Sequence, residues 1–363
     1  MRRRRWSAGS GVRHVFLSAH GWERAISLGF IHDSFGARRR VVWRNVVVLA
    51  VLLPVGSGLA IYRTLTTATG VEVWLIALGL YVVTMFGVTL GNHRYWTHRG
   101  LKVREPLRVL LALASAVAMQ GDIEQWVLTH RAHHRYADIV GLDPHSPYEY
   151  EQWHGLKGLA WAQGVWLLFA RPESLALTPH RDLTEDRLVQ LERKLFPWIT
   201  IGQFPLMLAF YPLFGWNLML IAGALRVTTL LTTTGMVNSV CHKWGARAVD
   251  SAGHVYRRDD SRNNLLVAVL AGGEGNHAWH HADPTCPRHG RTVRLDAAAL
   301  AQGARPDRGW RPDATWRLIQ VLARLNLVYD VRIPRRTFYF AESQQERTKR
   351  PLSAVQPAQH SYR

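Results

Sequence analysis

The sequence contains two cysteines in 363 residues, Cys241 and Cys286, and no Cys-x-x-Cys pair. That scarcity excludes a disulfide framework and a thiolate zinc site, and it predicts a reducing compartment. Acidic residues are also few, 26 against 45 Lys and Arg, which leaves a formal charge of +19. A charge of that size suits nucleic acid or the anionic face of a membrane. The basic residues are spread over both ends and the loops rather than gathered in one binding motif, so membrane lipid is the preferred partner and no nucleic acid is expected. The first thirty residues lack the unbroken apolar core of a cleaved signal, because His20, Glu23 and Arg24 interrupt it. Residues 1–40 are read as a basic cytoplasmic tail and 341–363 as a disordered one.

Long apolar runs are what the chain has in quantity. Four of them, near residues 41–62, 71–91, 196–214 and 216–237, approach or exceed the ~20 residues that a helix needs to cross a bilayer. The link "TLTTATG" between the first two carries no charge, and the last two are nearly contiguous. Arg and Lys crowd into the N-terminal, middle and C-terminal sections, which the positive-inside rule places in the cytoplasm. The expectation is an all-α integral membrane protein: four transmembrane helices in two hairpins, a cytoplasmic helical cap, and a membrane domain over 41–340. The apolar stretch 106–120 is too short to span and is read as a surface or re-entrant helix. Arg226 falls inside the fourth run and calls for an inward-facing polar partner. "DLTEDRLVQLERKLF" is read as a helix capped by Thr184 or Asp182, and "ATWRLIQVLARLNLVYD" as another helical patch.

Histidine is abundant, with 18 in the chain. Lone residues such as His154, His180 and His360 are read as surface or hydrogen-bonded side chains. Eight others fall in three windows: His93 and His98; His130, His133 and His134; His277, His280 and His281. The second and third windows repeat the i, i+3, i+4 spacing that brings side chains to one face of a helix. His93 and His98 are about 140° apart on an ideal helix, so they converge only if the second span loosens at its end, or else they serve different ions. In the two-hairpin topology all these groups emerge on the same side. Packing needs no imidazole, and neighbouring rings would repel unless neutral and bound to metal. Eight nitrogens suit two ions with four or five ligands each, and imidazole alone does not choose among zinc, iron, copper and nickel. Structural zinc closes at four ligands and favours cysteine, so a nitrogen-rich pair at the membrane surface points to redox chemistry.

"GNHRYWTHRG", "HRAHH", "DPH", "NSVCH" and "GEGNHAWHH", in this order and at these separations, resemble the integral-membrane acyl-CoA desaturases of the stearoyl-CoA delta-9 type. The likeness runs from about Val42 to "LNLVYD", most of the chain. The resemblance implies two iron ions held by His93, His98, His130, His133, His134, His242, His277, His280 and His281, with Asn238 joined through water. It also implies an apolar acyl tunnel whose bend is lined by Gln120, Trp126 and Thr234, with Asp143 and Glu274 orienting ligand imidazoles. The implied reaction removes two hydrogens from a fatty acyl chain, using O2 as co-substrate and two electrons, and leaves a cis double bond. Where acyl-CoA members carry Arg-Asp just before the second box, this chain has Leu128 and Thr129. The carrier of the fatty acyl group therefore stays open between CoA, acyl carrier protein and a glycerolipid. No cytochrome b5 domain or Cys-rich ferredoxin motif is recognised, so a separate electron donor of either kind is expected. A related hydroxylase or acetylenase shares the ligand set, and a metal-binding or transport protein is the reading from a different class.

Overall fold

Apolar runs become long helices, and the first two are α1 (Trp43–Thr66) and α2 (Val71–Thr97), joined across residues 67–70. At 1.5 Å per residue each exceeds the about 30 Å of a hydrocarbon core. The computed structural model describes residues 30–32, 38–148, 155–170, 180–249, 259–290, 311–332 and 339–341. Most of the two tails, together with His154 and His360, lies outside the described residues.

After α2 the chain forms α3 (Glu105–Val117), whose 13 residues give a length of about 20 Å, too short to span, as expected. Leu110 and Leu113 are exposed, while Leu111, Ala112 and Ser115 are buried. A turn with Met119 and Gly121 at positive φ leads to α4 (Ile123–Tyr136). Asp122 caps α4 by accepting the Gln125 N–H at 2.9 Å. Then come α5 (Leu156–Gln163), α6 (Arg181–Thr184) and α7 (Arg187–Leu208). Neither Thr184 nor Asp182 caps α7. Asp186 does, accepting the N–H groups of Leu188 and Val189, because α6 ends first and Asp182 is committed to ion pairs with Arg131 and Arg99.

The run 196–214 is helical only to Leu208; the chain breaks at Ala209 and Phe210 before a short turn of helix, Tyr211–Phe214. α7 starts at Arg187, well before the apolar run, and its early turns carry Arg193 and Lys194. The last long helix is α8 (Leu218–His242), which runs to His242 rather than stopping near 237. Among the described residues, three helices, α1, α2 and α8, have both the length and the hydropathy of a span. Arg226 in α8 is buried and has inward polar partners: Gln203 Oε1 at 2.6 Å, and the carbonyls of Val117 and Ala222 at 3.1 and 3.0 Å.

The chain continues with α9 (Leu265–Leu270), α10 (His277–Ala282) and α11 (Ala314–Arg324). The helical patch stops at Arg324 because Asn326 takes a φ of 56° and Val328–Tyr329 turns into a strand. The fold is therefore mostly helical, with three two-stranded antiparallel ribbons among the described residues. β1 (Phe30–His32) pairs with β2 (Arg38–Arg40), β3 (Lys102–Val103) with β5 (Val328–Tyr329), and β4 (Arg247–Val249) with β6 (Tyr339–Ala341). One core lies where α2, α3, α4, α7 and α11 meet, around Leu90, Trp96, Leu111, Ile123, Val189 and Ile319. A second joins α1, α2 and α8 through Ala60, Val73, Ala77 and Ile221. Leu65, Leu75 and Val83 remain exposed on the long helices, as lipid-facing side chains are.

Candidate metal centre

The end of α2 changes its winding. Gly87–Thr97 is π-helical, with hydrogen bonds from residue i+5 back to residue i. The His98 N–H reaches the His93 carbonyl at 3.2 Å, so the turn is wider than that of an α-helix and the two rings meet with centroids 4.9 Å apart. This widening is the loosening that the spacing of His93 and His98 required. Side chains hold it in place: Thr97 Oγ1 donates to the Asn92 carbonyl at 2.7 Å, and Ser115 Oγ of α3 donates to Asn92 Oδ1 at 2.8 Å. Gly87 lets α2 lie directly on α3, since a Cβ there would stand 2.6 Å from backbone atoms of Ala114 and Ser115.

α4 supplies His130, His133 and His134; α10 supplies His277, His280 and His281; α8 ends on His242. The rings sort into two groups. His93, His98, His130, His134 and His280 form one, and His133, His242, His277 and His281 form the other, with ligand atoms within 4.8 Å of one another in each. Neighbouring residues on a helix point about 100° apart, so His133 and His134 go to different groups, as do His280 and His281. Each short helix therefore serves both groups.

Within the groups the Nε2 atoms face inward. His93 and His134 each lie 2.8 Å from His280, and His130 lies 3.0 Å from His134. In the other group His133–His281 is 3.2 Å and His242–His277 is 3.0 Å. Adjacent nitrogens around an octahedral ion with metal–nitrogen bonds of about 2.1 Å are separated by about 3.0 Å, so these spacings match the edges of a coordination shell. His98 has both ring nitrogens buried and without a hydrogen-bond partner among the described residues, as a ligand lacking its ion would be. The donor set fits two nitrogen-bound metal ions. Asn238 is half-buried, one turn before His242, and is not hydrogen-bonded to any of the nine rings.

Behind several rings stands a carboxylate. His133 Nδ1 lies 2.9 Å from Asp143, His242 Nδ1 2.9 Å from Asp138, His281 Nδ1 3.1 Å from Asp259, and His93 Nδ1 2.6 Å from Glu274. Such contacts keep the proton on Nδ1 and aim the Nε2 lone pair at the centre. Asp143 and Glu274 were expected from the sequence; Asp138 and Asp259 were not. Asp138 follows α4 with a φ of 60°, and its only signal was its place four residues after His134. Asp259 sits in "RRDDSRNN" and gave none. Also missed were His289, buried with its ring 4.4 Å from that of His280, and His145, 4.5 Å from His133. Arg94 bridges Glu274 and Asp313 at 3.2 and 3.0 Å.

Burial holds His98, His130, His134, His277 and His280 well below the usual imidazole range. Positive charge nearby adds to it, from Arg131 and Arg94 at His98 and from other imidazoles at the remaining four. Neutral imidazole is the form that binds metal. Beside the five-histidine group lie Gln120, Trp126 and Thr234, the three residues expected to line an acyl tunnel. Gln120 Nε2 donates to Thr234 Oγ1 at 2.9 Å, Trp126 Nε1 donates to Gln120 Oε1 at 3.4 Å, and the Trp126 ring lies 5.0 Å from His130.

The model of one protein family, fatty acid desaturase, matches residues 72–306 and so takes in every one of these histidines. The chain belongs to the fatty acid desaturase family. It is 31% identical to stearoyl-CoA desaturase 2 of Rattus norvegicus over 299 residues, covering 80% of this chain and 74% of that one. Against stearoyl-CoA desaturase of Homo sapiens the identity is 30% with the same coverage, and against human stearoyl-CoA desaturase 5 it is 33% over 69% of this chain and 73% of the relative. As a desaturase of the acyl-CoA type it is an oxidoreductase of lipid metabolism, and its three apolar helices suit a membrane protein. Leu128, where acyl-CoA members carry a charged residue, packs into the core with Leu90, Trp96 and Val127.

Proposed function

We propose that the chain is a multi-pass membrane diiron desaturase that places a cis double bond in a saturated fatty acyl chain, using O2 and two electrons from a separate ferredoxin- or cytochrome b5-like protein. The observation that carries this reading is the sorting of nine imidazoles, all buried but the half-buried His130, into groups of five and four, with eight of them meeting through Nε2. Five nitrogen donors in one group exceed the four at which structural zinc closes, and an all-imidazole set suits iron. An iron pair bound there supplies the oxidising power that hydrogen removal from an unactivated methylene demands. The chain's own residues do the rest. Asp143, Asp138, Asp259 and Glu274 fix the tautomers of the rings they touch, and burial keeps bulk water from the centre. Gln120, Trp126 and Thr234 form a polar cross-link beside the five-histidine group, suited to fixing the bend of an acyl chain so that two adjacent methylenes stay by the metals. Asn238 is the candidate to reach the four-histidine group through water.

Parity supports a fourth crossing. With α1, α2 and α8 as the only spans, His242 and the α10 histidines would leave the bilayer on the face opposite to His93 and α4. Since His242 and His133 lie 5.1 Å apart, one more crossing between Tyr136 and Leu218 is needed, and the apolar part of α7 is the segment available for it. The excess of Arg and Lys in the non-spanning sections favours the cytoplasmic face for the centre. CoA is the proposed carrier, in keeping with the relatives' names. With Leu128 inside the core, its head group is bound by other residues than those the family uses just before the second box.

The test is expression in a host lacking the activity, with gas chromatography and mass spectrometry of its lipids. New monoenes with the intact chain, none with His130→Ala, and iron near two per chain are expected. Hydroxylated product without alkene overturns desaturation in favour of a hydroxylase. Zinc with no turnover overturns the enzyme reading.

A further inference from the structure

Among the described residues the two histidine groups are backed unequally. In the four-histidine group three of four rings contact an aspartate through Nδ1: His133 on Asp143, His242 on Asp138 and His281 on Asp259, at 2.9, 2.9 and 3.1 Å. Among the described residues the five-histidine group has one ring so backed, His93 on Glu274, and that carboxylate also faces Arg94 at 3.2 Å. His280 Nδ1 and both ring nitrogens of His98 are buried without a hydrogen-bond partner among the described residues.

The three aspartates are held firmly. Asp138 donates its backbone N–H to Asp143 at 2.9 Å, while its own carboxylate accepts from the Asp260 N–H and Ser146 Oγ, each at 2.7 Å. Asp143 also accepts the His145 N–H, and Asp259 takes the Ser261 hydroxyl at 2.5 Å. Their hydrogen bonds to the surrounding chain thus hold them against the rings.

An Nδ1–H donated to a carboxylate makes the imidazole a stronger donor at Nε2, and a nearby anion favours the more highly charged ion. We propose that Asp138, Asp143 and Asp259 act as positioning residues that make the four-histidine group the better holder of trivalent iron. In a pair that has given up one electron, Fe3+ then stands at His133, His242, His277 and His281, and Fe2+ at the five-histidine group. This rests on the diiron reading above. The electron count is simple: one ferricyanide per iron pair takes one electron from Fe2+Fe2+, giving Fe2+Fe3+ and ferrocyanide.

The experiment uses the full-length holoenzyme loaded with 57Fe, reduced, then oxidised with one equivalent of ferricyanide per pair and examined by Mössbauer and EPR spectroscopy. Separate ferrous and ferric signals are expected. Asp143→Asn and Asp259→Asn should change the ferric signal, leave the ferrous one in place, and weaken the preference for Fe3+ by about tenfold or more, a rise of about 59 mV or more in the first oxidation. Glu274→Gln should change the ferrous signal only. Asp143→Glu, which keeps the carboxylate, should return the potential toward wild type and guards against an Asn variant that fails to hold iron. Ferrous changes from the aspartate variants, ferric changes from Glu274→Gln, or an unmoved potential overturns the assignment while leaving a two-iron protein intact. Absence of iron from the active wild type would instead remove the diiron reading and this inference with it.

Discussion

The backbone N–H of His98 donates to the carbonyl of His93 at 3.2 Å, and this single i+5 contact puts two rings that an α-helix would separate into the same group. The wide turn costs the regular i+4 hydrogen bonds, so it persists only where packing and side chains hold it. Here the holders are Thr97, Asn92 and Ser115 on one side and the close seat of Gly87 on α3 on the other.

Gly87→Ala should therefore unseat the turn. The new methyl meets backbone, not a flexible side chain, 2.6 Å away, so α2 must move off α3. Overpacking of this kind costs about 1–3 kcal/mol, more than the roughly 1 kcal/mol that alanine gains in a helix. A lower melting temperature and less than half the wild-type iron content are expected. An unchanged iron content would mean that α3 contact does not hold the turn.

Arg131 anchors the second histidine box. It is buried, forms a two-pronged pair with Asp182 at 3.1 and 2.6 Å, and donates to the carbonyls of Trp96 and Thr97, the residues just before His98. Removing one partner of a buried pair strands the other and costs about 3–5 kcal/mol, though the partial exposure of Asp182 places this pair at or below the low end. Asp182→Ala should lower stability and iron retention, and Arg131→Lys, which loses the fork, should lie between it and wild type. If the double variant Arg131→Met/Asp182→Ala is no better than Asp182→Ala, the stranded guanidinium is not the source of the loss.

Helical spacing made part of this readable in advance. The i, i+3, i+4 pattern of His130, His133 and His134, repeated at His277, His280 and His281, is a local property and needs no knowledge of the partner segment. The sorting into five and four is not local: it depends on how α4 and α10 face each other, and adjacent rings such as His133 and His134 part company. The π-turn was foreseeable only as a requirement, because nothing in "GVTLGNHRYWT" announces a change of winding. Asp138 and Asp259 stayed hidden because a carboxylate that acts through another residue is marked by three-dimensional contact alone. The end of α7 was misjudged because hydropathy ignores the helix break at Ala209 and Phe210, and the cap because Asp182 is claimed by Arg131 and Arg99, contacts far away in sequence.

The cross-link of Gln120 with Thr234 and Trp126 offers a test of positional control. Thr234→Val keeps the shape but removes the partner of Gln120 Nε2, leaving a half-buried amide donor unsatisfied at a cost of about 1–3 kcal/mol. Under the proposed function, the double bond should appear at more than one position, with total monoene reduced severalfold. Mass spectrometry of derivatised monoenes reads this directly. A single unchanged position would place the acyl bend elsewhere.

Glu192 on α7 gives the protein a pH response separate from the histidines. Its side chain is buried, Oε2 accepts the Ile123 N–H at the start of α4, and Oε1 has no partner among the described residues. Burial pushes the carboxyl up to about 8 from 4.5, the Ile123 hydrogen bond only partly opposing it. The native state thus keeps this proton between pH 4.5 and about 8 while the unfolded chain gives it up. Since the native state binds the extra proton, the unfolding free energy falls as pH rises through that window. Glu192→Gln keeps an oxygen for Ile123 and carries no charge at any pH, so it should melt higher than wild type at pH 8.5 and nearly equal to it at pH 5. The buried imidazoles give the opposite slope below pH 6.5, where the unfolded chain takes up protons that His130, His134, His277 and His280 refuse. Comparing the two proteins pH by pH cancels that common slope, and melting curves of wild type and Glu192→Gln that run parallel from pH 5 to 8.5 would show that Glu192 is ionised throughout and held by the α4 N-terminus instead.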